Sequence, residues 1–460
     1  MSHSFDPTSL REYDIRGIVG RTLSEADAWA LGRSFATLVR RAGGRRVAVG
    51  RDGRDSSPGL QAALVRGLVE SGADAVRVGV GPTPMLYYAE AEFDVGGGIM
   101  ITGSHNPPEY NGFKMVLGGN AFFGADIRKV GRMAAAGDWE EGEGAVEDED
   151  VIDDYVDRLL EGYDGGAFRI GWDAGNGAAG PAIEKLAARL PGEHFLLYTD
   201  VDSRFPNHHP DPTDEKNLKD LKRLVRDEGL DMGFAFDGDG DRLGAVDGEG
   251  RTIWGDQLLA ILAEPVLADC PGATIIADVT ASQALFDRVA ELGGAPLMWK
   301  TGHSHIKSKM KQTGAPLAGE MSGHIFFAHQ YYGFDDALYA AVRLIRAVTR
   351  LGGSLAGLRS AMPDIVNTPE MRFQVDEPRK FAVVEEVLDR LADAGAEVDR
   401  TDGARVSTPD GWWLLRASNT QDVLVARAEA KDEEGLERLV AQIDEQLARS
   451  GVKRGPRAGP

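Results

Sequence analysis

The sequence predicts three related α/β domains in series followed by a smaller α+β domain, on three observations. Short apolar runs alternate with helical patterns, and the alternation restarts twice. Beyond Pro363 it gives way to strands flanking fewer helices. At 460 residues the chain is too long for one core and fits three or four domains. The boundaries accordingly fall at 1–148, 149–251, 252–363 and 364–460.

In the first unit RVAVG (Arg46 to Gly50) reads as a strand, Leu60 to Glu70 as a helix and AVRVGVG as the next strand. GGGIM (Gly96 to Met100) is the buried end of another. The acidic stretch EGEGAVEDED reads as a linker. The second unit opens with FRIGWDAGNG as strand and turn, continues with a helix near Ala182 to Leu190, and reaches the apolar run LDMGFAF. The third repeats the scheme: TIIADV, a helix from Gln283 to Leu292, PLMWKTG, a helix through Ile306 to Gln312, then GEMSGH. The last unit ends with a helix from Glu434 to Ala448, and GVKRGPRAGP reads as a disordered tail.

Chemistry concentrates where strands end, the place where α/β sheets put their reactive loops. After GGGIM comes TGSHNPPEYNGFKM, which offers Ser104 as a nucleophile, His105 beside it and Lys114 ten residues on. A serine hydroxyl needs a group that removes its proton or neutralises nearby charge. Gly103 permits close backbone approach, Asn106-Pro107-Pro108 forces a turn, and Lys114 supplies a compact cation. After LDMGFAF come Asp237, Asp239 and Asp241, separated by glycines that allow tight curvature. Three alternate carboxylates would repel one another unless they converge on a hard divalent cation. An EF-hand is excluded by spacing: the sixth position is Arg242, not glycine, and the twelfth is Gly248, not glutamate. Oxygen ligands with open positions suit Mg²⁺, which also accepts a phosphate oxygen.

These elements resemble the α-D-phosphohexomutase superfamily, in its phosphomannomutase/phosphoglucomutase branch. The likeness runs from Arg11 to about Arg449, through REYDIRG, GRDGR, TGSHNP, DGDGDR, GEMSGH and RASNT in that order. It implies mixed sheets around a central cleft, with a phosphoserine domain, a metal-binding domain, a sugar-recognition domain and a mobile phosphate-binding domain in turn. It implies an intramolecular phosphotransferase that moves phosphate between the 1- and 6-positions of glucose or mannose phosphates. Ser104 would be carried as a phosphoserine facing Mg²⁺ held by Asp237, Asp239 and Asp241, with glucose 1,6-bisphosphate as intermediate and activator. Arg16, Lys114 and His105 match positions near the transferring group. Arginine stays charged, which suits Arg16 to a clamp more than to proton transfer. Tyr13, Arg242, His303, Glu320, Ser322 and His324 would contact substrate, Glu320 and Ser322 at the 3- and 4-hydroxyls of the sugar. Arg416, Ser418, Asn419 and Thr420 would bind the unreacting phosphate. His305 has no such match and reads as a helix-surface histidine. Two departures stand out: Thr280 replaces a lysine common in relatives, and Gln421-Asp422 replaces a proline-containing continuation.

Composition narrows the field. With 73 acidic and 51 basic residues the formal charge is −22, which argues against nucleic-acid binding by bulk electrostatics. The one cysteine, Cys270, excludes an internal disulfide and fits a reducing cytosol. No apolar run reaches membrane-spanning length and the N-terminus has no apolar core, so a cytoplasmic enzyme without membrane partners is expected, as monomer or homodimer. Three competing readings stay open. A haloacid-dehalogenase-type phosphatase would use Asp237 as nucleophile but wants threonine or valine where Asp241 stands. Phosphoglucosamine mutase usually has glutamine where Met321 stands. A catalytically silent sugar-phosphate sensor is the non-enzyme alternative, supported only by Thr280.

Overall fold

The computed structural model describes residues 2–419 and 421–453, so Thr420 and the tail from residue 454 onward lie outside the described residues. Four sheets follow one another along the chain. The first is seven-stranded, with Ile15–Ile18, Tyr110–Leu117, Gly97–Ile101, Arg46–Arg51, Asp74–Val80 and Val146–Asp148 in spatial order and Asn120–Ala121 beside Tyr110–Leu117. The second and third have five strands each, and the fourth, six-stranded sheet pairs only antiparallel.

The first three sheets repeat one device. A buried strand runs parallel to its neighbour, ends in a loop, and the chain returns antiparallel beside it. Gly97–Ile101 returns as Tyr110–Leu117, Met232–Phe236 as Leu243–Asp247, and Leu317–Gly319 as Ile325–Phe327. The outgoing strands are buried at every residue, which is why they read as unbroken apolar runs. Their closing pairs, Ile101 with Phe113, Phe236 with Leu243 and Gly319 with Ile325, fix where each loop begins.

Helix starts differ modestly from expectation. Ser57–Glu70 begins earlier because Pro58 pre-sets its first turn, and His303–Thr313 begins directly after Gly302, whose φ is +124°. The acidic stretch is more than a linker. Val146–Asp148 pairs parallel to Asp74–Val80, and its carboxylates meet arginines of the same sheet, Arg46 with Glu147 at 2.8 Å and Arg77 with Asp148 at 2.6 Å. Those pairs cancel the repulsion that a run of like charge would otherwise bring to a sheet edge.

One apolar core runs continuously through the second and third units and takes in Met85, Leu86 and Tyr87 of the first; separate clusters fill the first and fourth units. The fourth unit is joined to the third through Trp412, Leu414 and Val279. Around that small patch, Arg405 Nη1 donates to the carbonyls of Val279 (2.6 Å) and Ala281 (2.8 Å), and Arg427 Nη1 to that of Thr280 (2.6 Å). The Arg405 guanidinium lies 3.8 Å from the Trp412 ring centroid, a cation–π contact shielded from water. Among the described residues no helix is long and apolar enough to cross a membrane.

Candidate active site

Ser104 sits on the first return loop at φ +49°, left-handed backbone that serine seldom adopts. The loop is held by Arg54 of the GRDGR segment, whose buried guanidinium donates to the carbonyls of Ser104, Asn106, Pro107 and Tyr110 at 2.6–2.9 Å. A Cβ at Gly103 would lie 2.3 Å from this guanidinium, so the glycine is needed to admit Arg54 as well as to form a tight turn. Asp52 completes the brace, accepting from Gly103 N at 3.0 Å and Arg54 Nε at 3.2 Å.

The hydroxyl of Ser104 donates to Asp237 Oδ2 at 2.8 Å and lies 3.2 Å from His105 Nδ1. Burial, reinforced by Arg242 and Arg16, pulls the His105 pKa well below the usual histidine range, so the ring is a neutral neighbour. Arg16 pairs with Asp14 at 2.5 Å and donates to Asn106 Oδ1, which aims its guanidinium along the serine loop.

Asp237, Asp239 and Asp241 are fully buried on the second return loop. Asp237 Oδ1 accepts from the backbone N–H groups of Asp241 (3.0 Å) and Arg242 (3.1 Å), curling the loop on itself, while Gly240 supplies φ +71°. A Cβ at Gly238 would lie 2.3 Å from the Ser104 carbonyl oxygen, so the serine and aspartate loops touch through this glycine. Lys114, from the strand that follows the serine loop, donates to Asp239 Oδ2 at 2.7 Å and to Asp241 Oδ2. Burial works against its charge, but Asp239 and Asp241 outweigh it and hold the lysine well above its usual pKa. Thr83 Oγ1 donates to Asp239 Oδ2 at 2.5 Å. Asp237 is pushed well up by burial and by the other two aspartates, whereas Asp239 is held low, against its burial, by Lys114.

A divalent cation fits this set. The ligand atoms of the three carboxylates lie within 4.8 Å of one another, Asp239 Oδ1 and Asp241 Oδ1 have no hydrogen-bond partner, and an ammonium is already drawn to the cluster.

The third return loop brings the sugar-loop residues opposite. Glu320 Oε1 accepts from Gly302 N at 2.5 Å, and burial, opposed by His324, pushes its carboxyl up to about 7. Ser322 is half-buried at the turn. His324 accepts at Nε2 from Arg242 Nε at 3.1 Å and stacks on His303, with ring centroids 5.6 Å apart. Tyr13 joins three domains: its hydroxyl donates to Thr301 O at 2.9 Å and accepts from Asn419 Nδ2 at 2.6 Å. Arg416 is held by Asp402 at 2.9 Å, and Ser418 Oγ accepts from Gln421 N at 3.2 Å. His305 departs from expectation: it is half-buried, edge-on to Tyr13 (5.4 Å) and Phe123 (5.1 Å), because the first domain packs over this turn of helix. Thr280 Oγ1 donates to Asp278 Oδ2 at 2.5 Å, and Asp422 is exposed.

The described residues singled out from sequence therefore meet across four domains. Sequence reasoning missed Thr83, the Arg54–Asp52 brace and the pair Asp335–Lys307 behind His324, joined at 2.9 Å. GRDGR was visible as a motif, and Asp335-Asp336 as carboxylates in an otherwise apolar stretch; Thr83 gave no signal.

The chain is similar to known proteins along nearly its whole length. Residues 7–140, 153–250 and 254–365 match the models of phosphoglucomutase/phosphomannomutase alpha/beta/alpha domains I, II and III, and residues 370–446 match the C-terminal domain. A phosphomannomutase/phosphoglucomutase of Pseudomonas aeruginosa is 44% identical over 444 residues, covering 96% of each chain. A phosphoglucomutase of Neisseria meningitidis serogroup A is 42% identical, covering 94% of this chain and 95% of its own. The crystal structure of a phosphoglucomutase/phosphomannomutase family protein from Burkholderia thailandensis superposes with a TM-score of 0.92 at 43% identity, covering 97% of this chain and 98% of the other. With four domain models matched in order and relatives this similar along nearly their whole length, the chain belongs to the phosphoglucomutase/phosphomannomutase family.

Proposed function

We propose that the chain interconverts hexose 1-phosphates and hexose 6-phosphates of glucose, mannose or both, through a phosphoserine at Ser104 and a hexose 1,6-bisphosphate that turns round between two transfers. The observation that carries this reading is the 2.8 Å approach of Ser104 Oγ to Asp237, with the Glu320–His324 loop of another domain reaching the neighbouring Arg242. Phosphate monoesters are inert in water, so transfer depends on alignment and charge neutralisation.

Asp237, Asp239 and Asp241 would hold Mg²⁺ together with an oxygen on Ser104, and the bound ion supplies neutralisation of phosphoryl charge. Lys114 and Arg16 add fixed positive charge beside the serine, and neutral His105 offers a hydrogen-bond partner without repelling it. Glu320 and Ser322 hold vicinal hydroxyls common to both sugars, while His303, His324, Arg242 and Tyr13 line the space between. Arg416, Ser418 and Asn419, with Thr420, hold the phosphate that is not reacting; an arginine fork suits it. Each half-reaction moves one phosphoryl group between Ser104 Oγ and a sugar hydroxyl, whose proton passes the opposite way. Glucose 1,6-bisphosphate, released early, would restart an enzyme left unphosphorylated.

The test is a coupled assay with glucose 1-phosphate and mannose 1-phosphate, alongside detection of acid-stable phosphate on the protein. Turnover of at least one sugar and phosphate at Ser104 are expected, both lost in Ser104→Ala. Normal turnover by that variant would end the proposal.

A further inference from the structure

Behind the sugar loop, four buried atoms without a well-aligned hydrogen-bond partner face one another: Nδ1 of His303, Nδ1 of His324, Oδ2 of Asp335 and Oδ1 of Asp241. His324 Nδ1 lies 3.0 Å from Asp335 Oδ2 and 3.7 Å from Asp241 Oδ1, while His303 Nδ1 lies 3.8 Å from Asp335 Oδ2. On the opposite edge of the His324 ring, Nε2 receives the Nε–H of Arg242 at 3.1 Å.

These contacts decide where the ring proton sits. An arginine nitrogen only donates, so His324 Nε2 must present a lone pair. A neutral ring then carries its proton on Nδ1, where the facing carboxylate of Asp335 is the natural acceptor. The other tautomer would set two N–H groups against each other at Nε2 and two acceptors at Nδ1. Asp335 cannot swing away. It is fully buried on the short strand Phe334–Asp335, and its other oxygen accepts from Lys307 Nζ at 2.9 Å. Lys307 is itself seated 4.4 Å from the Tyr87 ring centroid, on the first domain.

We propose that Asp335 is a positioning residue for the phosphoryl-transfer site: it fixes the ring proton of His324 on Nδ1, and so keeps the Nε2 lone pair turned toward Arg242 and the reacting groups. The chain Lys307–Asp335–His324–Arg242 runs from the sugar-recognition domain to the residue next to Asp241. It sets the arrangement of the aspartate loop against the sugar loop through one imidazole. The kinetic part rests on the mutase reading; the proton position does not.

Two measurements on the full chain separate them. Long-range ¹H–¹⁵N correlation with ¹⁵N-labelled histidine, assigned by the signal lost in His324→Gln, should show His324 protonated at Nδ1 and bare at Nε2. Asp335→Asn should shift that pattern and lower kcat for glucose 1-phosphate by about 10- to 100-fold, the usual cost of removing a carboxylate behind a functional imidazole, with KM little changed. If Asp335 acts through His324, adding Asp335→Asn to His324→Gln should cost less than about twofold more, since members of one network are not additive. A wild-type ring protonated at Nε2 overturns the proposal even if Asp335→Asn does not fold, and so does full additivity. A chain with the expected tautomer but no mutase activity would overturn the functional reading alone.

Discussion

In the proposed mutase the aspartate loop of the second domain and the Arg416–Asn419 segment of the fourth would serve opposite ends of one site, yet they are built differently. The aspartate loop is fixed from every side: its own backbone caps Asp237, Lys114 and Thr83 reach in from the first domain, and Gly238 abuts the Ser104 carbonyl. In the distal segment Arg416 bonds Asp402 of its own domain, and Asn419 bonds Tyr13 of the first. The end where the proposed transfer takes place is preset and buried, which is where fixed charges act most strongly. The end proposed to hold the unreacting phosphate carries bonds that a phosphate could replace, as a part that opens and closes over substrate would need.

Breaking the preset end should cost most. Asp239→Asn should cut turnover by more than about 100-fold, beyond the cost of losing an outer-shell partner of a metal ligand, and should weaken Mg²⁺ binding measured by calorimetry. Full activity and unchanged affinity would mean that the carboxylates do not act as a ligand set.

Glu320 lies between the two extremes and sharpens the contrast through pH. Its folded pKa of about 7 stands above that of an unfolded glutamate, so the folded chain keeps a proton that the unfolded chain releases. This contribution is fully present below the unfolded value and is lost as pH rises through about 7. Glu320→Gln cannot ionise and should be the more stable protein at pH 8, by on the order of 3 kcal/mol, with the gap closing by pH 5. Denaturation midpoints at the two pH values provide the check, and equal gaps would remove Glu320 as the titrating group. The same variant should impair both sugars, because it alters contacts to hydroxyls that they share.

At the exchangeable end the effect should be smallest. Asn419→Ala removes a donor to the proposed phosphate, about 1.5 to 3 kcal/mol, and also the bond to Tyr13 that binding would have to break, about 1 kcal/mol, so KM should rise by roughly fivefold with kcat nearly unchanged. A large fall in kcat would show that this segment takes part in the preset geometry after all.

What the sequence revealed follows the same division. Ser104, the three aspartates and Glu320 lie on loops where unbroken apolar runs end, so local pattern exposed both strand and site. The five helices named from the sequence lie within a few residues of their observed bounds, because signals such as Pro58 and Gly302 act on their nearest neighbours; others, such as Glu25–Arg41 and Ala337–Leu351, were not read. Contacts that depend on distant packing left little local trace. Thr83 meets Asp239 across 156 positions, and nothing around it marks it as a partner. The edge strand Val146–Asp148 was hidden by its acidity, since its stabilising arginines lie about 70 to 100 residues earlier. Arg54 and Asp52 were visible as a motif but not as a brace, because the backbone carbonyls and N–H group they hold belong to another segment.

The grip of Arg405 and Arg427 on residues 279–281 bears on how such a protein can change over generations. Both guanidiniums hold main-chain carbonyls, groups that every amino acid supplies alike. Those three bonds between the last two domains therefore do not depend on which side chain stands at position 280. Thr280 spends its hydroxyl on Asp278 of its own domain. A lineage could alter this position, and with it the polarity beside the proposed sugar-phosphate site, without breaking those bonds. Polarity at the proposed site and these inter-domain bonds, adjacent in space, are thus open to selection separately.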